Sequence, residues 1–201
     1  MFYEKHKDGH VAIALTVAPT TAFFENPGVA LEELVHFEVP EDKEYVKQKN
    51  MLYTFIVDRS GSMSGPRMQA TKEAMKLFLQ SLKPDANFCV ISFGSRHEFM
   101  QINGERILNQ RTHYNEATAK IALFEANFGG TEILTPMTKA MQMLQDAEAI
   151  KKELTHSRIF LLTDGEVENR DQVIDAAVVH PSANVSLHTF GIGGQCDKDM
   201  V

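Results

Sequence analysis

Residues 52–65 read "LYTFIVDRSGSMSG", in which an apolar run ends on an aspartate and passes at once into a polar loop that contains glycine. The run is almost continuously apolar, which is typical of a strand covered on both faces. The loop places Asp58, Ser60 and Ser62 at alternate positions. Taken alone, it has the composition of an ordinary turn. The alternative is that its oxygens face one point in space and bind something there.

Similar apolar runs recur along the chain, separated by longer segments with helical periodicity. The further strand candidates are "NFCVISF" (87–93), "RIFLLTD" (158–164), "VSLHTFGI" (185–192) and a weaker edge strand, "HEFMQI" (97–102). The helical candidates are residues 65–82, 115–128, 135–154 and 169–179. This alternation predicts an α/β fold with right-handed crossovers and a mostly parallel central sheet flanked by helices on both faces.

Boundary signals place three of these helices. Pro66 is a favoured first-turn residue, and Leu77 and Phe78 lie on the apolar stripe of the helix that it opens. Gly129 is a stop signal for the second helix, and Thr135 is the expected N-cap of the third.

Residues 1–50 have a different pattern. The segments 10–19 and 31–39 resemble strands, and 40–50 is a charged linker. Fifty residues are too few for an independent core of this kind. We therefore expect an N-terminal β-rich extension, which is either the tail of an upstream β domain or a set of added edge strands, followed by a main domain over 51–201.

Composition and charge disfavour several classes of protein. The chain has 201 residues and a formal net charge of −7, and an acidic chain repels phosphate backbones, so nucleic-acid binding is not expected. No apolar run approaches the roughly 18 residues that suggest a membrane span. The two cysteines are too few for a disulfide framework, and the start lacks a signal-peptide layout. These features favour an intracellular, cytoplasmic protein over a secreted one.

Three loops carry oxygen-bearing side chains where the strands are expected to end. They are residues 58–62, "GGTEI" (129–133) and "TDGE" (163–166). In an open parallel sheet, ligands bind beyond the carboxyl ends of the strands, in a crevice between such loops. Each loop alone has the composition of a turn or a helix cap, but their combination indicates a binding site.

The chemistry of these loops suits a hard divalent cation. Mg²⁺ prefers six oxygen ligands, typically with one or two protein carboxylates. Asp58 and Asp164 would match its charge, and the neutral oxygens of Ser60, Ser62 and Thr131 would leave it electrophilic. We expect Mg²⁺, with Mn²⁺ or Ca²⁺ also compatible. An Asp or Glu carboxylate from a partner protein would complete the coordination shell.

The order and spacing of these five residues resemble the metal-ion-dependent adhesion site of von Willebrand factor type A domains, over residues 51–199. The wording "FIVDRSGSMSGPRM", "FLQSL", "ISFGS", "GGTEI" and "LLTDGEV" is most similar to the A domains that follow a vault/inter-alpha-trypsin (VIT) domain, as in vault poly(ADP-ribose) polymerase and inter-alpha-trypsin inhibitor heavy chains. The N-terminal extension would then be either the tail of a VIT-like β domain or a set of added edge strands, followed by the linker. Domains of this family normally continue with a final helix and strand, which the resemblance implies are missing from 51–201.

The resemblance also implies a Rossmann-like, doubly wound topology and metal-dependent protein binding without catalysis. In such domains the two serines, and the threonine in the ligand-competent state, contact the metal directly, and the two aspartates act mainly through water. Carried over, Ser60, Ser62 and Thr131 would be direct ligands, and Asp58 and Asp164 would bind through water.

Residues between the site positions are candidates for a rim that contacts the partner. The expected rim residues are Arg59, Met63, Glu132 and Glu166, with Met68 as a further part of an adaptable methionine surface. Cys89 is expected to be a buried apolar residue with no nucleophilic role.

Two other functions compete with a binding module. A metal-dependent phosphoryl-transfer hydrolase would place its nucleophile at Asp58, but the acid expected two residues later is Ser60, and no phosphate loop with its lysine is present in the sequence. A scaffold that keeps the fold without using the metal is the other alternative.

Overall fold

The computed structural model describes residues 50–165 and 184–193 in full, together with the backbone of two short strands at the start of the chain. Those two strands, β1 (Phe2–Lys5) and β2 (Val11–Ala14), pair antiparallel with each other. The strands of the main sheet are β3 (Met51–Asp58), β4 (Asn87–Phe93), β5 (His97–Phe99), β6 (Leu108–Asn109), β7 (His156–Thr163) and β8 (Val185–Gly191).

The main sheet has the order β5-β4-β3-β7-β8, and β6 pairs with β4 beside this path. β3 runs parallel to β4 and β7, and β7 runs parallel to β8. The short strands β5 and β6 are antiparallel to β4. The mostly parallel α/β sheet expected from the sequence is confirmed, and "HEFMQI" supplies an edge strand, although a shorter one than expected.

Four α-helices connect the strands within the described residues. They are α1 (Pro66–Ser81), α2 (Gln110–Ala122), α3 (Leu134–Gln142) and α4 (Ala147–Lys151), with short 3₁₀ turns at Gly61–Met63 and Met143–Gln145. The alternating side chains of β3 divide the core into two layers. Phe55 and Val57 pack in one cluster with residues of α1 and α2, and Leu52 and Ile56 pack in the other with residues of α3 and α4. Burial of each of these side chains contributes about 1.5–3 kcal/mol, and every residue of β3 is buried because the strand lies at the centre.

The second helix is displaced from its expected bounds. α2 begins at Gln110 because the side chain of Asn109 caps it by accepting a hydrogen bond of 3.1 Å from the backbone N–H of Arg111. It ends at Ala122, whereas the stop signal at Gly129 predicted an end several residues later. The segment 123–128 is therefore a loop that reaches the carboxyl edge of the sheet.

The long helix expected over 135–154 is interrupted. α3 ends at Gln142, and a new helix, α4, begins after Asp146, whose side chain accepts from the backbone N–H of Glu148 at 3.1 Å. Asp146 also pairs with Arg106 at 2.6 Å, so a contact distant in sequence favours the break. Thr135, the expected N-cap, lies inside α3 instead.

The buried stripe of α1 is shifted from the expected one. Leu77 is 66% exposed, although helical spacing placed it on the apolar stripe. The buried positions of the helix are Met68, Thr71, Met75 and Leu79, and Phe78 packs partly buried beside them. A threonine occupies one core position because its hydroxyl donates to the carbonyl of Arg67 at 2.9 Å, so it brings no unpaired polar group into the core.

Several expectations lie outside the described residues. They are the helix at 169–179, the strand at 31–39, the linker over most of 40–50 and the end of the main domain beyond residue 193. Within the part of the chain that the structure describes, no helix is long and apolar enough to cross a membrane.

Candidate metal centre

The first and third oxygen-bearing loops leave the sheet side by side. Asp58 is the last residue of β3, and Asp164 directly follows β7. These strands are paired in parallel, with Val57 opposite Leu162, so both aspartates emerge at the same carboxyl edge. Both are buried. The topology therefore brings together two carboxylates that are far apart in sequence.

Asp58 is held by one hydrogen bond at each carboxylate oxygen. Its Oδ1 accepts from the backbone N–H of Ser60 at 2.8 Å, and its Oδ2 accepts from the hydroxyl of Thr163 at 2.7 Å. Burial raises the pKa of Asp58, the nearby charge of Asp164 acts in the same direction, and the hydrogen bonds from Ser60 and Thr163 oppose the shift. Thr163 in turn accepts from the N–H of Gly165 at 3.1 Å. Thr163 is a site residue that sequence reasoning missed, although it directly precedes Asp164 in "TDGE".

The two serine hydroxyls converge. A short 3₁₀ turn, Gly61–Met63, follows Ser60 and brings Ser60 Oγ and Ser62 Oγ to 3.0 Å from each other. Ser60 is buried, and Ser62 is partly exposed. Adjacent ligands of an octahedral ion with bonds of 2.0–2.1 Å are separated by about 2.9 Å. The separation of the two hydroxyls thus fits neighbouring positions on one Mg²⁺ ion.

The threonine loop lies against the serine loop. The backbone N–H of Gly61 donates to the carbonyl oxygen of Gly129 at 2.8 Å. Gly129 has a φ of +82°, and a Cβ on it would lie 2.8 Å from Ser95 Oγ, so both conformation and space favour glycine. Ser95 Oγ also accepts from the N–H of Gly130 at 2.7 Å. Thr131 follows directly and is partly exposed.

Arg59 packs inward against its own chain, although we expected it at the rim. Its guanidinium lies 4.6 Å from the ring centroid of Phe124 and 4.2 Å from that of Phe128. Its Nε donates to the carbonyl of Glu125 at 2.9 Å, and its Nη2 donates to Asn127 Oδ1 at 3.0 Å. These contacts join the serine loop to the segment that leads to Thr131. This bridging role of Arg59 was not predictable from the sequence, because its partners lie in a loop that the sequence pattern predicts to be helical.

Asp164 forms an ion pair that sequence reasoning also missed. Its Oδ2 accepts from Arg67 Nη1 at 2.8 Å, and the same nitrogen donates to the carbonyl oxygen of Ser62 at 3.0 Å. Arg67 lies in the first turn of α1, where the helix dipole disfavours a positive charge. The carboxylate of Asp164 offsets this unfavourable interaction.

The remaining rim candidates have different environments. Met63 and Met68 are buried, so the expected methionine contact surface is wrong: both side chains belong to the core cluster that contains Phe55 and Val57. Glu132 is exposed, and its Oε1 accepts from the N–H of Thr135, in the first turn of α3, at 3.0 Å. Glu166 lies outside the described residues.

The donor set is that of a hard cation. Within the described ranges, no three His, Cys, Asp or Glu side chains form a group that could hold a metal. Two carboxylates with neutral oxygens suit Mg²⁺ better than zinc or copper. Cys89 is buried, as expected, and burial raises the pKa of its thiol to about 12.

Sequence comparisons place these features in a family. Residues 54–201 match the sequence model of the von Willebrand factor type A domain. A von Willebrand factor A domain-containing protein of Dictyostelium discoideum is 34% identical over 155 residues, which are 74% of this chain and 15% of that relative. The mouse von Willebrand factor A domain-containing protein 5B1 is 34% identical over 142 residues, which are 70% of this chain and 11% of that protein. The chain thus spans a small part of the length of these relatives.

Solved structures share the fold. A von Willebrand factor type A protein from Catenulispora acidiphila aligns with a TM-score of 0.61 and 26% identity, over 74% of this chain and 34% of that one. A manganese-loaded TRAP protein of Plasmodium vivax aligns with a TM-score of 0.61 and 19% identity, over 77% of this chain and 62% of that one, a likeness that concerns the fold alone. Domains of this type are often used for protein–protein interaction. The match over residues 54–201, together with the shared sheet, shows that the chain belongs to the von Willebrand factor type A domain family.

Proposed function

We propose that this chain is a metal-dependent protein-interaction module. A divalent cation, Mg²⁺ by preference and Mn²⁺ or Ca²⁺ as alternatives, would be held by Asp58, Ser60, Ser62, Thr131 and Asp164 as an intact metal-ion-dependent adhesion site. The cation would coordinate an Asp or Glu carboxylate of a partner protein. The module would bind its partner through coordination alone, with no covalent bond broken or formed, and therefore without catalysis.

The separation of 3.0 Å between Ser60 Oγ and Ser62 Oγ is the observation that carries this proposal. The two hydroxyls hydrogen-bond to each other at that distance, and the same spacing would suit adjacent ligands of a small octahedral ion. The buried carboxylates of Asp58 and Asp164 lie at the same edge of the sheet. A cation there would neutralise negative charge that burial makes costly.

The contacts of Asp58 also support an indirect role for this residue. Each of its oxygens already accepts a hydrogen bond from Ser60 or Thr163, and this arrangement suits a carboxylate that orients metal-bound water. Ser60, Ser62 and Thr131 are the proposed direct ligands. The manganese carried by the Plasmodium TRAP protein is in keeping with this chemistry on a shared fold. Closeness to the A domains of VIT-containing proteins remains part of the proposal.

Calorimetric titration of Mg²⁺ and Mn²⁺ tests the metal site directly. We expect binding by the wild-type chain and a loss of at least about tenfold in affinity for Ser60→Ala and Ser62→Ala, because each change removes one direct ligand. Ser64→Ala is the matched control. Ser64 lies in the same loop but is exposed, and its hydroxyl donates to the carbonyl of Gly61. Equal affinity in all four proteins would contradict the proposal.

Partner binding is tested by capture with an immobilised peptide library that presents Asp or Glu, with and without a chelator. Retention that depends on the cation, and that is lost in Ser62→Ala, supports the module. Phosphatase activity that is stimulated by Mg²⁺ and lost in Asp58→Ala would instead support the hydrolase alternative. Retention unaffected by chelator would favour a scaffold that does not use the metal.

A further inference from the structure

Arg67 touches two of the three loops at the metal centre. Its Nη1 donates to Asp164 Oδ2 at 2.8 Å and to the carbonyl oxygen of Ser62 at 3.0 Å. The side chain of Asp164 is 1% exposed and that of Arg67 is 28% exposed. One nitrogen therefore joins a buried site carboxylate to the backbone of the serine loop.

The backbone at Gly193 also lies close to the guanidinium of Arg67. A Cβ on Gly193, two residues after the end of β8, would lie 3.2 Å from Arg67 Nε. The backbone therefore passes close to the arginine, and a glycine there leaves room for it. Arg67 is partly exposed, but its guanidinium contacts Asp164, the carbonyl oxygen of Ser62 and the backbone near Gly193.

The position of Arg67 matters because its charge is permanent. A guanidinium stays protonated in proteins. Among the described residues, the carboxylates of Asp58 and Asp164 are buried at the same edge of the sheet. Arg67 therefore offsets part of the negative charge that a divalent cation would meet. Its partial exposure allows solvent and salt to weaken this effect.

We propose that Arg67 is a built-in counter-cation of the metal centre, which lowers the affinity for a divalent cation and leaves the cation-loaded centre positively charged towards an anion. This inference rests on the proposed function. Counted over described residues alone, Asp58, Asp164, Arg67 and a bound divalent cation would sum to a formal charge of +1, and the same set without Arg67 would sum to zero. Arg67 thus lowers the affinity of the centre for the metal and strengthens the attraction of the metal-loaded centre for the carboxylate of a partner.

Titration of Mn²⁺, followed by electron paramagnetic resonance at low ionic strength, tests the first half of the proposal. We expect Arg67→Gln to bind Mn²⁺ roughly three- to tenfold more tightly than wild type, with the difference shrinking as salt is added. Arg67→Lys keeps the charge and should stay within about twofold of wild type. Arg67→Met removes the charge while keeping an apolar stem, and it provides the same test if Arg67→Gln does not fold.

Arg111→Gln is the matched control for net charge. Arg111 is exposed at the start of α2, and its replacement changes the charge of the chain equally without touching the metal centre. We expect its Mn²⁺ affinity to equal that of wild type. A purely structural role for Arg67 would instead weaken Mn²⁺ binding in both Arg67→Lys and Arg67→Gln, and that result would overturn the inference.

Acetate is the probe for the second half of the proposal. Water-proton relaxation of the Mn²⁺-loaded protein should fall as acetate displaces metal-bound water, and it should fall at lower acetate concentrations in wild type than in Arg67→Gln. Equal acetate binding in the two proteins would overturn the inference and leave the proposed function intact. Failure of wild type to bind Mn²⁺ at all would overturn both.

Discussion

The backbone N–H of Gly61 donates a hydrogen bond of 2.8 Å to the carbonyl oxygen of Gly129, which joins the loop that carries both serines to the loop that carries Thr131. Neither contact atom belongs to a side chain, so the two loops are held in register independently of the ligand residues. The proposed metal centre therefore depends on the backbone conformation of Gly129.

Replacement of Gly129 by alanine is expected to destabilise the fold and weaken Mg²⁺ binding. Its φ of +82° costs an alanine about 1–2 kcal/mol, and the contact of 2.8 Å with Ser95 Oγ adds about 1–3 kcal/mol. Gly104→Ala is the control, because Gly104 has a φ of +83° but open space around its Cβ position. Urea unfolding of both variants measures the difference, and equal losses would show that the contact with Ser95 is unimportant.

Replacement of Arg59 by alanine is expected to lower the free energy of unfolding by about 1–3 kcal/mol. It removes two hydrogen bonds and the contacts with both Phe124 and Phe128. Arg96→Ala serves as the comparison. Arg96 is exposed and lies 4.0 Å from the Phe128 ring, so we expect a loss below about 1 kcal/mol. Calorimetry should show weaker Mg²⁺ binding for Arg59→Ala only; an equal weakening in both variants would contradict the role assigned to Arg59.

The strands and the site aspartates were predictable because their signals are local. The run 87–93 forms β4 with the expected bounds, since a strand covered on both faces leaves a continuous apolar pattern. Asp58 and Asp164 follow from the same reasoning, because the ends of parallel neighbouring strands meet at one edge. The serines and Thr131 were also found from the oxygen-bearing loops at the expected strand ends, and the family resemblance then indicated their role as direct ligands.

The parts that were not predictable depend on contacts between distant residues. Arg67 and Asp164 are 97 positions apart, and no local pattern links them. Leu77 satisfies helical spacing yet is exposed, because the helix buries a neighbouring stripe that includes Met75 and Leu79. The break in the helix expected over 135–154 depends on Asp146, which meets Arg106 from another part of the chain.

Replacement of Asp146 by alanine is therefore expected to destabilise the fold by about 1–2 kcal/mol. The change removes the cap of α4 and the ion pair of 2.6 Å with Arg106. Glu116→Ala provides the contrast. Glu116 makes only an exposed helical pair of 3.8 Å with Lys120, which contributes about 0.5 kcal/mol or less. Denaturant unfolding of the two variants distinguishes a structural aspartate from a surface carboxylate, and similar losses would contradict this assignment.

Replacement by valine is expected to change the stability of the fold in opposite directions at two buried threonines. Thr163 donates its hydroxyl proton to Asp58 Oδ2 at 2.7 Å, whereas Thr54 Oγ1 has no hydrogen-bond partner among the described residues. Thr163→Val leaves a buried carboxylate oxygen without its donor, which costs about 1–3 kcal/mol. Thr54→Val removes an unsatisfied hydroxyl and should range from neutral to about 1 kcal/mol more stable.

Unfolding in the presence of a chelator separates these effects from metal binding. Thr163→Ser keeps the donor and should recover most of the stability lost in Thr163→Val, because the hydroxyl, and not the methyl group, is the part that faces Asp58. If Thr163→Val were as stable as Thr54→Val, the hydrogen bond to Asp58 would contribute nothing. In that case the orientation of Asp58 would have to depend on the N–H of Ser60, its other hydrogen-bond donor.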